Sequence, residues 1–103
     1  KTKQNNDISV IVSGIGRSKM FQTTKEIVKN MTQNDKIVNV GICGAEKKFP
    51  IGSVIDGFKQ NITCVEKEVS TSMGYEVVDM ESSGFIDATH KIKNRYIFKV
   101  VSD

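Results

Sequence analysis

The alternation between β-branched runs and a helical period constrains this chain more than any other feature. Ile8-Ser9-Val10-Ile11-Val12 is a β-branched run closed by Ser13-Gly14-Ile15-Gly16, which predicts a buried strand ending in a tight turn. The period then changes. Met20, Phe21, Thr24, Ile27, Val28 and Met31 recur at helical spacing, with Lys19, Lys25, Glu26, Lys29 and Asn30 on the other side, the pattern of an amphipathic helix. After the polar break Thr32-Gln33-Asn34-Asp35, the run Lys36-Ile37-Val38-Asn39-Val40-Gly41-Ile42 reads as a second buried strand. A strand–helix–strand unit of this length predicts that the two strands are parallel.

The remainder continues the alternation. Ser53-Val54-Ile55 and Ile62-Thr63-Cys64-Val65 read as short strands, 70–74 as a loop by composition, Tyr75-Glu76-Val77-Val78-Asp79-Met80 as a strand, and 82–93 as a helix carrying Phe85, Ile86, Ala88, Thr89 and Ile92. A strand over 96–101 follows. This order predicts an α/β domain of three layers, α/β/α, with a mostly parallel (mixed) sheet and helices on both of its faces.

Length and charge narrow the class. The chain has 103 residues, enough for one domain: a polar lead-in over 1–7 and a single domain over 8–103. Without an initiator Met, and with a last strand that has no closing element after it, it is expected to be part of a longer protein. A net charge of +3, spread along the chain, gives little footing to a nucleic-acid surface. No apolar run is long enough for a membrane span, and Cys43 and Cys64 inside apolar runs suit a reducing, cytoplasmic setting. His90, on a helix with no Cys or acid cluster at ligand spacing, reads as a surface histidine, so no metal is expected and no cofactor.

In α/β sheets ligands gather at the carboxyl ends of strands, which selects 13–16, 41–45, Met80-Glu81 and Ser102-Asp103. Ser13, Gly14 and Gly16 sit where a strand feeds a helix, whose N–H groups suit a phosphate or sugar contact. The third glycine of a dinucleotide fingerprint is missing, its place taken by Lys19. Asp79 and Glu81 stand at a strand-to-helix junction, where an acid either caps the helix or accepts hydrogen bonds from a pair of adjacent hydroxyls. Asp103 follows the apolar Val100-Val101, where desolvation would favour a protonated acid able to donate; the competing reading is an exposed loop acid.

These segments, in order, resemble the purine nucleoside phosphorylase and nucleosidase superfamily, which includes methylthioadenosine/adenosylhomocysteine nucleosidase and futalosine hydrolase. The motifs are Val12-Ser13-Gly14-Ile15-Gly16-Arg17, Asn39-Val40-Gly41-Ile42-Cys43-Gly44-Ala45, Pro50-Ile51-Gly52-Ser53-Val54, Val78-Asp79-Met80-Glu81-Ser82 and Val100-Val101-Ser102-Asp103. The resemblance implies a phosphorylase/hydrolase-like fold, incomplete at both ends, and an N-glycosidase acting on a purine or modified-purine nucleoside. By it, Glu81 holds the ribose hydroxyls with Met80 beside it, and Asp103 protonates the purine. Ile42, Cys43, Gly44 and Ser102 would line the substrate pocket.

Departures from the family pattern shape the expectation. Phosphorylases hold phosphate with an arginine and a serine where this chain has Asn39 and Ile42, which favours hydrolysis over phosphorolysis. Lys99 stands where many members have arginine, and the segment between Ile55 and Val65 is short. The acid that activates water would precede Lys1. A phosphate-dependent phosphorylase and a non-catalytic nucleoside-binding domain are the alternatives, and a homodimer is the expected assembly.

Overall fold

A computed structural model describes residues 2–4, 7–66 and 75–102. Among these residues, seven strands and two helices follow one another as β1 (Thr2–Gln4), β2 (Ser9–Ile11), α1 (Arg17–Lys29), β3 (Ile37–Ala45), β4 (Val54–Asp56), β5 (Thr63–Cys64), β6 (Val77–Asp79), α2 (Ser82–Ala88) and β7 (Arg95–Val101). Five of the strands form one mixed sheet in the order β4-β7-β3-β6-β5. Its spine is the parallel ladder between the two longest strands, β3 and β7, from Ile37 opposite Arg95 to Cys43 opposite Val101. β4 runs antiparallel to β7, β6 meets only the end of β3, antiparallel, at Gly44↔Val78 and Ala45↔Val77, and β5 is parallel to β6. Parallel and antiparallel pairings are thus equal in number rather than mostly parallel.

The first strand does not join this sheet. β2, expected as the parallel neighbour of β3, pairs instead with β1 of the lead-in in an antiparallel two-stranded ribbon. Ile8, Val10, Ile11 and Val12 all stay exposed. β-branching makes a segment extended without choosing its partner, and a hairpin closes a far shorter loop than a crossover does.

The described residues cover the sheet on one face. Alternate residues of β3 and β7 (Ile37, Asn39 and Cys43; Ile97, Lys99 and Val101) are buried. Met20, Ile27 and Val28 of α1 and Phe85 and Ile86 of α2 pack on Ile37 and Ile97. Cys43, Ile55, Val77 and Val101 form a second cluster with Phe49 and Ile62 against it. The intervening residues Val38, Val40, Ile42, Val54, Tyr96 and Val100 are exposed, so the 37–42 strand is half-buried rather than buried. Both described helices lie on the same face.

The helices touch closely. A Cβ on Gly84 would run into the Arg17 carbonyl and stand 3.1 Å from the Phe21 nitrogen. α2 stops at Ala88, short of the expected 82–93: the Thr89 N–H still bonds the Phe85 carbonyl (3.0 Å), and beyond it the chain turns, with the Ile92 N–H on Thr89 O (2.8 Å). No described helix is long and apolar enough to cross a membrane.

Candidate functional site

The β6–α2 junction is built around a buried acid. Asp79 ends β6, flanked by β5, whose neighbour Val65 donates its N–H to the Asp79 carbonyl (2.8 Å). Its carboxylate accepts from the N–H of Ser82 (2.9 Å) and, at longer range, of Glu81 (3.4 Å), and from the Ser82 hydroxyl (2.6 Å). Asp79, not Glu81, therefore supplies the acceptors at the start of α2. The Lys99 ammonium lies 3.1 Å from the same carboxylate, with the two side chains 1% and 0% exposed. A buried charge survives only with a partner of this kind.

Glu81 faces the start of the other helix. Its Oε2 accepts from the Gly16 N–H at 2.8 Å, and Gly16 is the residue that caps α1. With φ of 102°, Gly16 occupies the left-handed region that side-chain-bearing residues rarely enter. A carboxylate there meets the positive end of the α1 dipole. The loop folds back on itself beforehand, where the Ser13 hydroxyl donates to the Gly14 carbonyl (3.0 Å) and the Lys19 side chain packs over Gly14. Of the Glu81 oxygens, Oε1 accepts no hydrogen bond from a described residue.

Gly44 is half-buried in the ladder with Val78, and Ser102 donates its N–H to the Cys43 carbonyl at 2.9 Å, so the ends of β3 and β7 lie side by side. Ile42 and Cys43, as consecutive strand residues, point to opposite faces, the first 68% exposed and the second 3%. Both cysteines are thiols. Met80 is half-buried. Asp103 lies outside the described residues. β6 runs against β3, so its carboxyl end, Asp79, lies back alongside β3 near Gly41 rather than beyond Ala45. Glu81 meets the 13–16 loop at Gly16, and Gly44 and Cys43 lie beside Val78 and Ser102.

Elsewhere, His90 is exposed with Nδ1 2.9 Å from the Asp87 carbonyl oxygen. Among the described residues no group of three or more His, Cys, Asp or Glu is placed to hold a metal. A cleft of about 420 Å³ opens at the other end of the β3–β7 ladder, between 31–35 and 91–94, away from Glu81. Sequence reasoning passed over the Lys99–Asp79 pair, although its signal was present: a lone lysine in the apolar run 97–101, and an acid closing Val77-Val78. Charged residues inside apolar runs call for one another. Gly84 offered no comparable signal. No family model, curated protein or solved structure matches the chain.

Proposed function

We propose that this domain binds a purine or modified-purine nucleoside and hydrolyses its N-glycosidic bond, with Glu81 holding the ribose hydroxyls and Asp103 giving a proton to the departing base. The observation that carries the reading is the Glu81 carboxylate, pinned through one oxygen to the Gly16 N–H (2.8 Å) and open at the other. A fixed acceptor beside a glycine loop is what two adjacent hydroxyls need, because no side-chain freedom is lost when they bind. Five motifs in family order support the same reading.

Hydrolysis is favoured over phosphorolysis by Asn39, the position where phosphorylases carry a cation for phosphate. It is 5% exposed, its amide nitrogen lies 3.9 Å from the Met20 sulfur, and it brings no charge to an anion. In this reading the apolar open face of the sheet is the surface that a second helical layer covers in a three-layer phosphorylase-like fold. A cytoplasmic location and a homodimer belong to the same proposal.

Release of free base from a panel of purine nucleosides, with and without phosphate, tests it. Release without phosphate is expected. Release only with phosphate would make the protein a phosphorylase, binding without release would make it a nucleoside-binding domain, and neither binding nor release would overturn the reading.

A further inference from the structure

Lys99 and Asp79 are the charged side chains that the described fold takes almost wholly out of water. Burying two charges is expensive, and a buried pair rarely stabilises a fold more than apolar residues of the same size would. Their arrangement points elsewhere. β3 lies between β7 and β6, so Lys99 must span a whole strand to reach Asp79. It does so over Gly41, where a Cβ would stand 3.1 Å from Nζ and 3.7 Å from Cδ. Asp79 then holds the backbone N–H groups of Glu81 and Ser82, and Glu81 holds Gly16. One run of polar contacts leads from β7, across β3 and β6, to the N–H of Gly16, the residue that caps α1.

We propose that Lys99 is a positioning residue for Glu81. Its ammonium fixes the Asp79 carboxylate, Asp79 fixes the backbone at 81–82, and the Glu81 carboxylate is held with one oxygen on Gly16 and the other presented to ribose hydroxyls. The ribose part rests on the reading of Glu81 above; the coupling from Lys99 to Gly16 does not.

Amide hydrogen exchange followed by NMR reads the Gly16 N–H directly, without ligand, and titration with adenosine and 2′,3′-dideoxyadenosine reads ribose recognition. In Lys99→Met, exchange at Gly16 is expected to accelerate relative to amides of the β3–β7 ladder. Adenosine binding should weaken by about tenfold or more, the low end for a hydrogen bond to a charged group, while dideoxyadenosine binding changes little. Lys99→Arg keeps the charge and should retain most of the protection. Gly16 exchange left unchanged in a folded Lys99→Met overturns the proposal, as does a loss of protection spread evenly over the sheet, which is what a merely structural pair would produce. Where Lys99→Met does not fold, Gly41→Ala replaces it: the added methyl presses on the ammonium, and an unmoved Gly16 resonance overturns the proposal equally. A wild-type chain that binds neither nucleoside removes the ribose part alone, and the Gly16 measurement still decides the coupling.

Discussion

On the proposed reading Glu81 has two tasks on one carboxylate, and neutralising it separates them by size. Glu81→Gln keeps an oxygen for the Gly16 N–H and gives up only the charge at the helix end, which is worth about 0.3–1 kcal/mol. A charge-assisted bond to a ribose hydroxyl is worth more, about 1.5–3 kcal/mol. Denaturant unfolding should therefore show a small loss of stability while adenosine affinity falls by about tenfold or more; equal affinity in both proteins would leave Glu81 as a helix cap alone. Lys48 and Glu76 form a different kind of pair, exposed and 2.6 Å apart. The hydrogen bond to Glu76, and then its charge, raises the Lys48 pKa above 10.5, and the hydrogen bond and charge of Lys48 lower that of Glu76 below 4.5. Their contribution is fully present between those ordinary values, is lost as pH falls through the lowered Glu76 pKa or rises through the raised Lys48 pKa, and is weakened by salt. Melting curves of wild type and Lys48→Met should differ slightly at neutral pH and converge in acid. A difference that persists in acid would belong instead to the Lys48 ammonium over the Phe49 ring, 5.3 Å from its centroid.

Between elements, the α1–α2 contact depends on the missing side chain of Gly84. The atoms in the way are backbone, the Arg17 carbonyl and the Phe21 nitrogen, so they cannot yield as a flexible side chain would. Gly84→Ala should part the helices and destabilise the chain by about 1–3 kcal/mol, the usual cost of overpacking, despite alanine's better helix propensity. Thermal unfolding checks it: a variant as stable as wild type would mean that the helices part without cost. The Arg17–Asp87 ion pair joins the same two helices at the surface, and an exposed pair of this kind adds little. The existence of α1 was legible from its period alone. That Glu81, leading into α2, would hold the N–H of Gly16, the cap of α1, was not, because it depends on how closely Gly84 lets the two helices approach.

Over the whole molecule, the two faces of the sheet should answer mutation differently. Ile97, fully buried between the helices and the sheet, should cost about 2–5 kcal/mol when cut to alanine. Val40, 70% exposed on the open face, should change stability by no more than about 0.5 kcal/mol when changed to threonine. Equal costs in denaturant titrations would show that the open face is covered in solution.

By itself the sequence determined the kinds and order of the elements after the lead-in. The runs at 37–42 and 96–101, the helical period at 20–31 and the junction at 79–82 all recur in the structure, because extended and helical conformations are set by neighbours within a few residues. The tertiary structure alone decided that β2 pairs with β1 rather than β3, that β6 runs against β3, that both described helices share one face, and that Lys99 meets Asp79 across Gly41. Pairing, direction and facing depend on contacts between residues far apart in the chain. There, loop closure and burial compete over many partners, and no local pattern of side chains carries that choice.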